Sequence, residues 1–207
     1  MMDHTNEVEI EMDAGTSYWH CFKGTNYRRT EIACMVFAGQ VLSGAEFAYS
    51  GTYFYAQAGL SPNLTYSLNL IGTAIAFVGC IMSWWLLKFF PRRNLYLCGL
   101  AGLSLCLFLI GCLDYVGNLD AVLTQVALTV IWLFIFSTTI GPGGWCIPAE
   151  VSSTRLRSKT IGLGRNTYYV ANTLARVIQP VLINPTRLDL QGKTGFFWFA
   201  FCTATFM

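Results

Sequence analysis

Polar side chains recur at helical spacing inside an otherwise apolar stretch near the start of the sequence, and they could bind a solute. At 3.6 residues per turn, Ser43, Glu46, Ser50 and Tyr53 fall on one stripe, with Gln40 beside it. Such a stripe on a membrane-spanning helix either makes hydrogen bonds to neighbouring helices or lines a pathway. Because a carboxylate inside a membrane is costly, Glu46 favours a solute pathway or a proton relay.

A second polar face lies on a later stretch. Arg165, Tyr169, Asn172, Arg176 and Gln179 follow one another at offsets of four, three, four and three, which places them on one side of a helix. Arg165 is close to the charged end of the stretch, and we expect it to snorkel to the membrane surface. Arg176 lies deeper, so it either pairs with a carboxylate across the bundle or reaches the outer headgroups.

Helix-breaking residues interrupt the apolar run between these two stretches. The run contains Gly141, Pro142, Gly143 and Gly144, followed by Trp145. A weakened helix is tolerated at membrane depth only where protein or a water-filled cavity satisfies the freed backbone groups. The pattern therefore predicts a hinge beside a transport pathway. The indole of Trp145 suits the face of a sugar ring, although core packing would explain it equally well.

The composition is that of an integral membrane protein. Of the 207 residues, 54% are hydrophobic and 12% are charged, with a mean hydropathy of +0.48, whereas soluble domains carry about 25% charged residues. The sequence has no metal-binding Cys or His spacing, no phosphate-binding glycine loop and no nucleic-acid-binding surface. We therefore predict no cofactor, no metal, no nucleic-acid partner and no covalent chemistry.

The apolar runs predict an all-α bundle, because a spanning helix needs roughly 20 apolar residues. Five runs are long enough for a full span, and Gly195–Met207 predicts a truncated sixth. The acidic segment 1–31 is expected to be a cytoplasmic tail, and 32–207 a transmembrane domain. The five full candidates are Ile32–Tyr55, Tyr66–Phe90, Leu95–Leu113, Val122–Ala149 and Ile161–Ile183.

The distribution of cations predicts the orientation. Lys and Arg precede the first span and also occupy the loops after the second and fourth spans, whereas the loops at 61–65 and 114–120 carry none. Short cytoplasmic loops carry the excess of Lys and Arg. The amino-terminal tail is therefore expected to face the cytoplasm.

Several motifs resemble the carboxy-terminal half of a sugar porter of the major facilitator superfamily, most closely the fungal maltose or general α-glucoside type. In that family they would belong to the end of the central loop, the seventh helix, the tenth helix, the loop after it, and the entry to the twelfth helix. In that order they are Gly15–Trp19 with Cys21–Asn26, Gln40–Gly44, Gly141–Glu150, Ser153–Thr160 and Gly192–Trp198.

The resemblance implies a sugar site and a cytoplasmic gate. Gln40 matches a sugar-binding glutamine, Trp145 a tryptophan that lines the site, and Asn172 a polar residue near it. Glu46 and Tyr169 of the polar stripes complete the predicted substrate-binding set. Glu150 would pair in a cytoplasmic charge network, because carboxylate and guanidinium at helix ends form breakable pairs. The cations predicted for this network are Arg92, Arg93, Arg155 and Arg157.

The predicted function is proton-coupled transport of sugars by alternating access in the plasma membrane, with α-glucosides such as maltose as the expected substrates. Val41 and Glu46 depart from the hexose porters, which carry glutamine and asparagine at the matching positions. The expected partners are the sugar, protons and the lipid bilayer, and transport would need six further amino-terminal helices. Two alternatives stay open, namely a sugar-sensing receptor that does not transport and an inactive truncated product.

Overall fold

The computed structural model describes residues 17–49, 61–115, 119–183 and 193–206, and within these ranges all regular structure is helical. Ser50, Tyr53 and most of the acidic tail lie outside the described residues. Two short 3-10 helices occur at Tyr18–Phe22 and Thr154–Leu156. The α-helices are α1 Thr25–Leu42, α2 Ala45–Tyr49, α3 Pro62–Phe89, α4 Arg92–Leu113, α5 Leu119–Thr138, α6 Ile140–Val151, α7 Arg157–Ile183 and α8 Thr194–Phe206.

Among the residues that the structure describes, four segments are long and apolar enough to cross a membrane: Thr25–Tyr49, Pro62–Phe89, Arg92–Leu113 and Ala121–Val151. They correspond to the first four predicted spans. Helix α7 contains the fifth predicted span and has 27 residues. It is not among these four segments, because its polar face and its four Lys and Arg residues lower its mean hydropathy. Helix α8 is apolar but shorter, in line with the truncated sixth span.

The first span is interrupted where the sequence predicted a continuous helix. Helix α1 ends at Leu42, and Gly44 adopts a φ of 88° before α2 begins. A side chain at Gly44 would also meet Leu107 at 3.1 Å and Trp198 at 3.3 Å. The left-handed backbone and the close packing both favour glycine here. The break separates α1 from α2, and Glu46 lies on α2.

We expect Gly44→Ala to lower the free energy of unfolding by about 1–2 kcal/mol, because L-residues resist a left-handed backbone. Gly162→Ala is the matched control. Gly162 lies inside α7, and among the described residues nothing outside its own stretch of helix lies within 4 Å of the place that a new methyl group would take, so alanine should stabilise the helix by about 1 kcal/mol. Unfolding by sodium dodecyl sulfate in mixed micelles would measure both variants. Equal effects of the two substitutions would contradict the prediction.

The helices pack as a bundle in which α1 lies along α7, α3 along α5, and α4 against both α5 and α8. Leu103 and Leu107 of α4, Trp132 of α5 and Trp198 of α8 are buried at its centre. The indole of Trp198 donates to Gln179 Oε1 at 2.6 Å. This core packs helices α4, α5 and α8 against one another and against α2.

The part of the predicted tail that the structure describes packs against the bundle. Cys21 is fully buried, and the Thr30 hydroxyl donates to the Cys21 carbonyl at 3.1 Å. Helix α1 begins at Thr25, before the predicted domain boundary at residue 32. All eight cysteines lie in described residues and are free thiols.

Candidate functional site

A cleft of about 700 Å³ lies between α1, α2, α3, α5, α6 and α7. Two of the predicted substrate-binding residues, Gln40 and Trp145, line it, and so do Gly141 and Pro142 of the predicted hinge. Trp145 is 51% exposed, so it is not the core residue that the sequence left possible. The cleft therefore brings together an accessible indole and a side-chain amide from different helices.

Gln40 fastens α1 to α6. It is 5% exposed, and its Nε2 donates to the carbonyl of Ile140 at 3.2 Å and to that of Gly141 at 3.0 Å. Gly144 makes this approach possible, because a side chain there would overlap the Gln40 amide. The predicted sugar-binding glutamine thus also has a structural contact with the helix that carries Trp145.

The interruption between α5 and α6 lies at Thr139, not within the predicted hinge. Gly141, Pro142, Gly143 and Gly144 are all helical. Glycine costs about 1 kcal/mol per residue in a helix, but here Gly144 allows α1 to pack closely against α6, and Gln40 binds two of the α6 carbonyls. Packing between helices therefore outweighs the low helix propensity of these residues.

Arg165 lies among aromatic rings on the wall of the cleft. Its guanidinium carbon is 4.3 Å from the Trp145 ring centre, 4.7 Å from that of Tyr168 and 5.1 Å from that of Tyr169. Its Nη2 donates to the Tyr169 hydroxyl at 3.3 Å. The sequence predicted that this side chain snorkels. The structure differs because the rings of α6 and α7 offer a cation–π environment within reach.

Glu46 forms the centre of a second polar cluster. Its Oε1 accepts from Asn172 Nδ2 at 3.0 Å and from Arg176 Nε at 3.2 Å. The Glu46 side chain is 10% exposed and that of Arg176 is 70% exposed. Of the two partners considered for Arg176 from the sequence, the structure shows the carboxylate across the bundle.

The two clusters are joined through Tyr168. Asn172 Nδ2 also lies 3.4 Å from the Tyr168 hydroxyl, and Tyr168 lines the cleft. Glu46 and Asn172 are not among the residues that line the cleft. Tyr169, which is exposed, contacts Arg165 of the cleft wall. Of the five predicted substrate-binding residues, Gln40 and Trp145 thus line the cleft. The other three, Glu46, Asn172 and Tyr169, are connected to the cleft wall through hydrogen bonds.

Sequence reasoning missed several residues of the cleft wall. Asn69, Thr73 and Trp84 of α3 line it, as do Arg165 and Tyr168 of α7. Asn69 and Thr73 are four residues apart in an apolar helix, a polar spacing that could have indicated an inward face. For Tyr168 the sequence offers no such signal, because it lies beside the polar stripe of α7.

One ion pair of the predicted cytoplasmic charge network is present among the described residues. Arg92, at the start of α4, pairs with Glu150, near the end of α6, and their side chains are 43% and 46% exposed. Arg93, Arg155 and Arg157 are exposed, and within the described residues none of them pairs with Glu150. The ion pair links the ends of two helices at the predicted cytoplasmic face.

We expect Glu150→Gln to lower the free energy of unfolding by less than about 1 kcal/mol, because half-exposed ion pairs are well solvated. The difference from the wild type should shrink further at high salt. Unfolding in mixed micelles at low and high salt would measure it. A loss well above 1 kcal/mol that does not depend on salt would contradict this.

The chain is similar to known proteins in its sequence. The profile of the family "Sugar (and other) transporter" matches residues 1–207. The chain is 36% identical over 202 residues to the maltose permease MAL31 of Saccharomyces cerevisiae, covering 97% of this chain and 33% of the permease. It is 34% identical over 190 residues to the alpha-glucosides permease MPH3 of the same species, covering 91% of this chain and 32% of that protein.

A solved structure shows the same fold. The chain matches the major facilitator superfamily proton:xylose symporter XylE with a TM-score of 0.74 at 16% identity, over 86% of this chain and 38% of the symporter. The chain spans about a third of the length of the permeases it matches. It is an all-helical, multi-pass membrane protein, and it belongs to the sugar transporter family.

Proposed function

We propose that the chain provides the carboxy-terminal, sugar-binding half of a transporter for α-glucosides such as maltose. Its relatives named maltose permease and alpha-glucosides permease support this substrate class. Because the chain spans about a third of their length, transport would also need an amino-terminal set of six helices. Proton coupling, alternating access, a plasma-membrane location and a cytoplasmic amino-terminal tail belong to the same proposal.

The cleft beside Trp145 is the observation that carries the proposal. A sugar presents hydroxyl groups at its edge and an apolar face on its ring, so its site needs hydrogen-bonding groups around an aromatic plane. Trp145 provides an exposed indole, while Gln40, Asn69 and Tyr168 on three other helices provide polar groups around it. A volume of about 700 Å³ lies within the range of small-molecule sites.

Each predicted residue takes a role that its position allows. Trp145 would contact the ring face, and Gln40 would fix the wall of α6 while offering its amide to a hydroxyl. Glu46 and Asn172 would hold Tyr168 in place.

Arg92 and Glu150 would fasten the cytoplasmic ends of α4 and α6 and would separate when the cleft opens inward, with Arg93, Arg155 and Arg157 as nearby cations. Gly141, Pro142, Gly143 and Gly144, next to the interruption at Thr139, would then bend.

Binding tests the sugar site. The chain, purified in lipid nanodiscs, should bind radiolabelled maltose, and Trp145→Ala should weaken binding by about tenfold, because an aromatic contact and its buried area are lost. Trp85→Ala is the control, since Trp85 is 72% exposed and does not line the cleft. Equal maltose affinity in the Trp145→Ala variant and the wild type would remove Trp145 from the site.

Transport is tested separately. The chain would be joined to the amino-terminal half of the yeast maltose permease and expressed in cells that lack maltose uptake. Accumulation of labelled maltose that stops when the proton gradient is collapsed would support coupled transport. Maltose binding without accumulation would favour a receptor.

A further inference from the structure

The side chain of Arg165 covers one face of Trp145. Its guanidinium carbon is 4.3 Å from the ring centre, which is close to the contact distance of about 3.5–4 Å between non-bonded carbons. Both residues line the cleft, as does Tyr168, whose ring lies 4.7 Å from the same guanidinium carbon. The covered face of the indole is therefore the one directed toward these cleft residues.

Within the described part of the chain, aromatic rings and one hydroxyl hold Arg165, and no carboxylate pairs with it. The carboxylates of Glu46 and Glu150 pair with other arginines. Besides the three rings already described, that of Phe37 lies 5.6 Å from the guanidinium carbon. Contacts of this kind are weaker than a buried ion pair, and Arg165 is only partly buried. The guanidinium can therefore move away from the Trp145 ring without breaking an ion pair.

We propose that Arg165 acts as an internal competitor for the sugar, occupying the face of Trp145 that the sugar ring must contact. The proposal rests on the proposed function and names a residue that sets the sugar affinity of the same site. A guanidinium and a pyranose ring cannot share one face of an indole, so binding requires the Arg165 side chain to move aside. Moving the guanidinium costs the same free energy for every sugar whose ring contacts this face, so Arg165 would lower the affinity for each of these sugars by a common factor.

The proposal predicts a gain of affinity when the guanidinium is removed. Arg165→Met keeps an unbranched apolar side chain that matches arginine as far as Nε, but it removes the charged, planar guanidinium. The affinity for maltose should rise by about 3-fold to 30-fold, the range that cation–π contacts carry. The affinity for glucose should rise by about the same factor, because glucose displaces the same guanidinium from the Trp145 ring. Arg165→Lys, which keeps the charge but loses the planar contact, should lie between Arg165→Met and the wild type.

The experiment measures binding of labelled maltose and glucose to the full chain in nanodiscs. The matched control is Arg29→Met, because Arg29 is an exposed arginine of α1 outside the cleft, and its affinities should equal those of the wild type. If Arg165 instead donates hydrogen bonds to the sugar, Arg165→Met will bind more weakly, which would overturn the proposal. Unchanged affinity would overturn it as well.

Quenching of tryptophan fluorescence by acrylamide gives a second readout that does not need a sugar. Arg165→Met should increase the quenching, and the increase should vanish when Trp145→Phe is added. No increase would overturn the proposal even if the affinities changed. If the wild type binds maltose and Arg165→Met binds no better, Arg165 does not compete with the sugar for Trp145, while the proposed function stands. If neither protein binds maltose although quenching rises, the proposed sugar site fails and the competition fails with it.

Discussion

Arg176→Ala is expected to lower the free energy of unfolding by about 3 kcal/mol. Removing the partner of a buried carboxylate leaves that charge uncompensated, which costs about 3–5 kcal/mol where both partners are buried. The lower end applies because only Glu46 is buried, while the Arg176 side chain is 70% exposed. Glu46, whose side chain is 10% exposed, would keep the amide of Asn172 as its donor but would lose its counter-ion. Unfolding by sodium dodecyl sulfate in mixed micelles would measure the loss.

A double-mutant cycle provides the control. Glu46→Gln removes the buried charge but keeps the shape of the side chain, so adding it to Arg176→Ala should restore part of the lost stability. Arg176→Lys retains a cation and should be milder than alanine. If the effects of Glu46→Gln and Arg176→Ala simply add, the two residues do not stabilise the bundle as a pair.

Gly144→Ala is expected to destabilise the protein by about 1–3 kcal/mol and to weaken maltose binding. The new methyl group would overlap the Gln40 amide, and overpacking of a core costs about this much. Gln40 would lose its bonds to the carbonyls of Ile140 and Gly141, and α6 would move away from α1. Because α6 carries Trp145, the wall of the cleft would be displaced.

Gly143→Ala is the matched control, because it introduces the same methyl group one position earlier. At Gly143 the nearest atom to a new side chain is a Tyr96 ring carbon at 3.4 Å, an ordinary contact. Alanine there should stabilise the helix by about 1 kcal/mol and leave maltose binding close to that of the wild type. If both variants lose or both gain stability, contact with Gln40 is not what requires glycine at 144.

Periodicity in the sequence predicted which faces of the helices are polar, but not which residues meet. The stripe of α7 was visible because Arg165, Asn172 and Arg176 repeat at helical offsets. Arg176 rather than Arg165 pairs with Glu46 because of how α2 packs against α7 in the folded bundle. Contacts of this kind join residues more than 100 positions apart, and local spacing carries no information about them.

The predicted hinge shows the same limit. Gly141, Pro142, Gly143 and Gly144 have low helix propensity, and from the sequence alone Gly143 and Gly144 are equivalent. The structure distinguishes them, because Gly144 faces Gln40 while Gly143 faces the ring of Tyr96. Propensity describes an isolated helix. Glycine is required at position 144 because α1 packs closely against α6, and this packing exists only in the folded protein.

The polarity of α7 has a consequence for biogenesis. An arginine at the centre of a nascent helix costs about 2.5–3.5 kcal/mol for transfer from the translocon into lipid, and α7 carries Arg176 and Arg165 along its length. The groups that receive them, Glu46 of α2 and the rings of Phe37 and Trp145, are all synthesised before α7. Helix α7 therefore enters the bilayer most favourably against helices already delivered there, so the order of synthesis itself assists the insertion of the most polar helix of the bundle.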